Sequence, residues 1–328
     1  MKQTTTYAEG ILEAYEYLLS NHSDFFIIGQ GLWSPWYVGA TMKDLDKKFG
    51  KERVIDCPVS ELATTGATVG AAICGYRPMI VHPRVDFMLL AVDQIVTQAA
   101  KWRHMFGGNS SAPATFRAII NRGGEQGAQH SQSLHSWFAH IPGLKVVMPY
   151  TAKDARDLMI ASVLSDDPVM FIDDRWLYEK EEPYTEVEVL DLNNVFPQKL
   201  STGNEITIVG ISYTSLLCES SAKQLLNEAG ITSDVFDIRV LNPLRLDNII
   251  ESVRKTGRLL VVDGDWSTCG MAGEIIAKVV ENIDISCLKA SPARITLPDS
   301  PAPTSKNLED NYYIKEEHII NKVKALLK

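Results

Sequence analysis

At 328 residues the chain exceeds the length, roughly 250 to 300, at which a single hydrophobic core stops growing, so two domains are expected. Its apolar content of 45% is enough to fill both cores. A formal net charge of -9 with no basic patch argues against nucleic acid as a main partner, because phosphate backbones are held by clustered lysine and arginine. In chain order, residues 7–19 place apolar side chains at helical spacing, and a polar turn at 21–24 leads into an apolar strand at 25–28. A short helix over 43–49, a strand at 54–55, a helix over 61–74 and a strand at 79–81 follow. Residues 86–102 read as one long helix, 114–120 and 146–148 as strands, 152–164 as a helix and 169–172 as a strand. Apolar strands separated by helices predict a parallel sheet with helices on both faces.

Between 179 and 200 the pattern fails in an acidic run containing Pro183 and Pro197, which reads as an interdomain linker. A second, smaller α/β set follows, with strands at 206–209, 234–238 and 259–262 and helices over 213–229, 246–256 and 271–280. A terminal helix starts at Lys315. The expected division is 1–180, a linker at 181–200, and 201–328. Cys57, Cys74, Cys218, Cys269 and Cys287 are odd in number and contain no CxxC pair, so neither a disulfide framework nor a zinc site is indicated. The first ten residues lack the basic start and apolar core of a signal peptide, and no apolar run approaches spanning length. A cytoplasmic protein outside the membrane is therefore expected.

Pro58 breaks the strand at 54–55, and Glu61 then stands at the start of a helix rich in Ala, Gly and Thr. Ligands collect outside the carboxyl ends of parallel strands, which suits a chemical role for this acid. An acid there equally complements the partial positive charge of a helix start, and local sequence leaves both readings open. A glycine-rich loop, Gly123 to His135, delivers further polar groups just after the strand at 114–120, and two such strand ends suggest a shared crevice. Asp263-Gly264-Asp265 lacks the glycines of a phosphate loop and the remainder of a calcium loop, and reads as a tight strand-to-helix connection. The basic end, 322–328, reads as a solvated helix tail.

Glu61 after Ile-Asp-x-Pro, Phe87 before Ala-Val-Asp-Gln, and Gln-His-Ser-Gln before Pro-Gly-Leu-Lys-Val-Val-Met-Pro closely resemble the beta subunit of the decarboxylating component of 2-oxoacid dehydrogenases, the pyruvate dehydrogenase type. The likeness continues in Arg258 to Gly264, in Gly273-Glu274-Ile275, and in Pro301-Ala302-Pro303 leading to Leu308-Glu309, so it covers almost the whole chain. It implies a transketolase-like, thiamine-diphosphate-binding α/β fold, with a pyrimidine-binding domain followed by a smaller C-terminal α/β domain. It implies decarboxylation of a 2-oxoacid and transfer of the acyl group to a lipoyl arm.

By the same resemblance, Glu61 matches the glutamate that hydrogen-bonds the cofactor's aminopyrimidine and drives the tautomer that deprotonates the thiazolium. Phe87 matches the ring on which the pyrimidine stacks, although its spacing alone would read as helix packing. His130 matches the histidine contributed near the thiazolium. His135 and His140 recur at intervals of five, but no further ligand completes a metal set, and they read as packing or interface residues. The family's GDG motif for the diphosphate and magnesium has no counterpart here. An alpha partner carrying that site is implied, in an alpha2beta2 heterotetramer that docks on a lipoyl acyltransferase core. A split transketolase acting on sugar phosphates, and a non-catalytic scaffold subunit, are the alternatives.

One stretch departs from the family. Where its members carry mainly uncharged residues, this chain reads His82-Pro83-Arg84-Val85-Asp86, and a loop from Arg117 carries Ala118-Ile119 and then Arg122. Either Arg84 pairs with Asp86 or another acid, or it faces the crevice. In the second case His82 and Arg84 suit a substrate larger or more anionic than pyruvate.

Overall fold

Thr6 ends a short strand, β1 (Thr4–Thr6), and caps the helix that follows, α1 (Tyr7–Asn21). Its hydroxyl accepts the Glu9 N–H at 3.2 Å, while the Glu9 carboxylate accepts the Thr6 N–H at 2.9 Å, a reciprocal box that satisfies two orphan donors. The computed structural model describes residues 3–328, which cluster into two units. One runs through Arg122 and includes Trp137–Val195; the other comprises Gly123–Ser136 and Phe196–Lys328.

The first unit continues with β2 (Phe25–Gly29), α2 (Leu45–Phe49), β3 (Val54–Asp56), α3 (Glu61–Ile73) and β4 (Arg77–His82). The expected long helix is instead four pieces: α4 (Val85–Met88), a 3-10 turn at Leu89–Ala91, a π-helical stretch at Gln94–Ala99, and α5 (Ala100–Met105). After β5 (Thr115–Ile120) come α6 (His135–Ala139), which spans the boundary between the units, then β6 (Lys145–Val147), α7 (Ala152–Leu164), β7 (Val169–Asp174) and β8 (Glu181–Pro183). Six strands of this unit lie in the order β6-β7-β5-β4-β2-β3, and every pairing among them is parallel. Every residue of β5 and β7 is buried, as expected of strands covered on both faces. Gly29 faces Val81 in the register, and a Cβ there would lie 2.6 Å from the Val81 carbonyl oxygen, so only glycine lets β2 end this close to β4.

Arg117 sits inside β5 rather than in a loop, and it is fully buried. Its guanidinium binds the Asp173 carboxylate through Nε at 3.0 Å and Nη2 at 2.8 Å, and it donates also to Tyr15, Thr41 and Tyr178. This charge is part of the core.

The expected linker carries structure. β8 pairs antiparallel with β1, and β9 (Gln198–Ser201) pairs antiparallel with β11 (Ser233–Asp237) of the second unit. That unit also holds β10 (Ile206–Gly210), α8 (Tyr213–Ala229), β12 (Val240–Asn242), α9 (Asp247–Thr256), β13 (Leu259–Trp266), α10 (Met271–Glu281), β14 (Ala293–Leu297), α11 (Lys306–Tyr312) and α12 (Glu316–Leu326). Its sheet runs β14-β13-β10-β11-β9, parallel except for β9 at the edge.

Candidate active site

In the first unit the polar groups gather at the carboxyl ends of β2, β3, β4 and β5, the edge where open α/β sheets hold ligands. Asp56, the last residue of β3, accepts the backbone N–H groups of Gly31 at 2.6 Å and Leu32 at 3.3 Å, fixing the turn that follows β2. That turn presents Gln30, whose Nε2 donates to Glu61 Oε1 at 3.1 Å. Glu61 is only 6% exposed, yet Oε2 makes no hydrogen bond among the described residues and is not enclosed. A buried acid with one oxygen braced and the other open can accept a hydrogen bond from a ring nitrogen. Gln30 was not singled out by sequence reasoning; its one local signal is its place between two glycines directly after an apolar strand.

One turn along α3, Thr65 Oγ1 lies 3.4 Å from His82 Nε2, tying the helix start to the end of β4. His82 is 2% exposed, and burial lowers its pKa to about 4. At neutral pH it is therefore an uncharged ring inside the fold, and it brings no second positive charge beside Arg84. Pro83 follows, its carbonyl oxygen accepting from Asn121 Nδ2 at 3.2 Å, so the ends of β4 and β5 are joined. Arg84 is half-buried and forms no ion pair among the described residues, with Asp86 or any other acid; its Nη1 is enclosed without a hydrogen-bond partner. Arg122, by contrast, is paired with Asp174 at 2.8 Å, and burial raises the pKa of that acid against the lowering effect of Arg122. Phe87, three residues past Arg84, is 44% exposed, so it is not the core residue its spacing suggests.

Around this edge the apolar surface is large. Trp33, Trp36 and Tyr37 after β2, Val59 and Leu62 beside Glu61, and Leu90 after Phe87 are all exposed, Trp36 to 74% and Val59 to 77%. Exposed apolar side chains on the segments that follow β2, β3 and β4 are of the kind that protein partners cover. A separate cleft, with Arg103, Lys145 and Asp167 in its lining, opens near the start of β6, away from the strand carboxyl ends. Its charges neutralise one another, with Asp167 bound by Arg103 at 2.7 Å and by Lys145 at 3.2 Å.

His130 belongs to the second unit, on the loop 123–136. Its Nδ1 is 3.2 Å from the Gln126 carbonyl oxygen; a carbonyl only accepts, so Nδ1 carries the hydrogen and Nε2 is the basic nitrogen of the neutral ring. The loop is fastened at both ends. Glu309 accepts the Glu125 N–H at 3.1 Å, and Tyr313 accepts the Gly123 N–H at 3.3 Å. At the far end His135 Nε2 meets Asp263 Oδ1 at 3.0 Å, and Ser136 donates to Asp265 at 2.6 Å. Asp263 and Asp265 thus lie within β13 and hold the loop, rather than forming a plain turn. Burial raises the pKa of Asp265 against the lowering influence of His135. Ser133 Oγ, 3.0 Å from His135 Nδ1, completes a serine, histidine and aspartate chain, but all three are buried, so no substrate reaches that serine. His140 is exposed, not packed. Among the described residues no group of three or more His, Cys, Asp or Glu is placed to hold a metal ion.

Residues 3–180 match the family model of the transketolase pyrimidine binding domain, and residues 198–319 that of the transketolase C-terminal domain. The chain is 34% identical to the Pyruvate dehydrogenase E1 component subunit beta, mitochondrial, of Saccharomyces cerevisiae, over 99% of this chain and 89% of that one. It is 35% identical to the corresponding subunit of Rickettsia bellii over 98% of each. It is 39% identical to the Acetoin:2,6-dichlorophenolindophenol oxidoreductase subunit beta of Cupriavidus necator, over 82% of this chain and 79% of that one. Among solved structures, a split gene transketolase described as an inactive beta4 tetramer superposes with a TM-score of 0.76 at 18% identity, covering 98% of this chain and 97% of the other, which establishes the fold. The chain therefore belongs to the pyruvate dehydrogenase E1 beta subunit family, with a transketolase-type pyrimidine binding domain followed by a transketolase C-terminal domain.

Proposed function

We propose that this chain is the beta subunit of a thiamine-diphosphate-dependent 2-oxoacid dehydrogenase, active only with an alpha subunit that supplies the diphosphate and magnesium site. The observation that carries the reading is Glu61, buried at a strand-end edge with Oε1 braced by Gln30 and Oε2 open. When bound, the cofactor supplies a thiazolium carbon that adds to a carbonyl and holds the electron pair left by carbon dioxide. Glu61 holds a proton at the pyrimidine ring nitrogen, and Phe87 offers a flat apolar face to the same ring. Gln30 keeps the carboxylate in place. His130, basic at Nε2, moves protons as the acyl group is handed to a lipoyl arm.

The exposed tryptophans and leucines around Glu61 suit the partner-dependent assembly, an alpha2beta2 heterotetramer that docks on an acyltransferase core. Five unpaired cysteines suit a reducing compartment, in line with the cytosol, and no helix of the described residues is long and apolar enough to cross a membrane.

A second reading, with a substrate other than a 2-oxoacid, is kept because one similar relative is named for acetoin and the fold is also that of a split transketolase. The test is to purify the chain with its natural partner, add thiamine diphosphate and magnesium, and compare 2-oxoacids, acetoin and ketose phosphates in one dye-reduction and product assay. Turnover of a 2-oxoacid with carbon dioxide release supports the first reading. Turnover of only acetoin or ketose phosphates replaces it, and none with any donor leaves the scaffold alternative.

A further inference from the structure

Five arginines lie in the parallel strands of the first unit or just beyond their carboxyl ends, and four have their charge or donors satisfied within the chain, Arg77 by Asp166 at 2.7 Å among them. Arg117 is held by Asp173, Arg122 by Asp174, and Arg175 donates to the Asn121 side-chain oxygen at 3.2 Å. Arg84 has neither a carboxylate nor, at Nη1, any hydrogen-bond partner among the described residues, although that nitrogen is withdrawn from solvent. A guanidinium without an acid and partly withdrawn from solvent costs free energy, and an anion that reaches its Nε and Nη2, which are not enclosed, returns it.

The position of Arg84 is fixed by its neighbours. Two residues before it, His82 contacts Thr65 one turn along α3 from Glu61. Immediately before it, Pro83 is held to β5 by Asn121. Three residues after it stands the exposed ring of Phe87. Glu61 and Arg84 are thus each one short step from the Thr65–His82 contact, since a helical turn brings i and i+4 within about 6 Å and two residues of chain span at most about 7 Å. His82 is neutral, so the positive charge on this segment belongs to Arg84 alone.

Building on the function proposed above, we propose that Arg84 determines specificity by binding a second anionic group, a carboxylate or a phosphate, on a substrate whose carbonyl reacts at the Glu61 site. The planar guanidinium grips either group through two parallel N–H donors, which a small monoanionic acid such as pyruvate cannot occupy while its own carboxylate is at the reacting centre.

The test uses the complex of this chain with its partner, loaded with cofactor, and reads binding of unreactive probes by calorimetry besides activity. Glutarate is compared with butyrate for a carboxylate source, and ribose 5-phosphate with ribose for a phosphate source. In the unaltered complex one dianionic or phosphorylated probe is expected to bind about tenfold or more tighter than its counterpart, the worth of one charge-assisted contact. Arg84→Met should abolish that preference, and Arg84→Lys, which keeps the charge and guards against loss of fold, should retain part of it. In turnover, Arg84→Met should raise KM for the matching substrate far more than for pyruvate. No preference in the unaltered complex, or an equal loss for both members of a pair, overturns the proposal. Subunit dissociation in Arg84→Met, reversed by Arg84→Lys, also overturns it and assigns Arg84 to an acid on the partner. Probe preference that depends on Arg84 with no turnover of any 2-oxoacid sinks the dehydrogenase reading while Arg84 keeps its anion.

Discussion

Gln30 Nε2 donates to Glu61 Oε1 at 3.1 Å, joining the residue after β2 to the first residue of α3. An amide fixes the oxygen without bringing a charge, so the carboxylate is oriented but not neutralised. Glu61→Gln should keep the assembly, because shape is nearly preserved, yet lower kcat by about 10² to 10⁴, the usual worth of a positioned proton-transfer group. Gln30→Ala removes one hydrogen bond to a charged acceptor and should cost on the order of tenfold. Proton exchange at the bound thiazolium, followed by NMR in the assembled complex, separates the two effects; a wild-type rate in Glu61→Gln rules out the assigned role.

The apolar surface beside Glu61 bears on affinity as well as assembly. With the diphosphate site assigned to the partner, the chain alone should bind thiamine diphosphate weakly, and adding the partner should restore tight binding. Calorimetry on the isolated chain that gives micromolar affinity or better contradicts this division of the site.

Asp263 is expected to act on His130 at a distance. Through His135 it fastens the carboxyl end of the loop on which His130 is carried. Asp263→Ala should lower kcat with little change in KM and speed amide hydrogen exchange across residues 123–136. Unchanged exchange in that segment would show that Glu309 and Tyr313 hold the loop without it.

The core charge pair gives a stability prediction. Asp173→Ala leaves the Arg117 guanidinium buried without its carboxylate and should cost about 3 to 5 kcal/mol, the usual penalty for breaking a buried pair. For a domain of this size that is a fall in Tm on the order of 10 °C. A fall under 2 °C would mean that Tyr15, Thr41 and Tyr178 suffice to solvate the charge.

The parallel sheets were legible because β2, β5, β7 and β10 are mainly apolar runs, and every residue of β5, β7 and β10 is buried. β1 and β8 were not: Thr-Thr-Thr and Glu-Glu-Pro have no apolar alternation, and each becomes a strand only by pairing with the other, far away in sequence. The π-helical turns at 94–99 keep an ordinary helical pattern of side chains, so the changed backbone bonding left no trace in the spacing. Glu61, Phe87 and His130 could be named from motifs. Gln30 sits in no motif, and the His135–Asp263 contact joins residues 128 apart, beyond any local pattern. Arg84 was visible as a departure from the family, but that it lacks an acid required the three-dimensional arrangement.

His82 makes stability depend on pH in a stated direction. Its pKa falls from the ordinary 6.5 to about 4 in the folded chain because burial penalises the charged ring. The unfolded chain therefore binds this proton more readily than the folded one. Its contribution is fully present above pH 6.5 and is lost progressively as the pH falls toward 4, where the folded ring also protonates. A shift of this size corresponds to about 3 kcal/mol across the window. His82→Gln removes the titrating group while keeping a polar side chain near Thr65. Unfolding followed at half-unit steps from pH 8.5 to pH 4 should show the wild type losing stability faster than the variant between 6.5 and 4, with parallel curves above 7. Parallel curves throughout would mean that the ring titrates in the fold as it does in the unfolded chain, and a wild type that gains on the variant as the pH falls would mean that it is protonated and paired, a second cation beside Arg84.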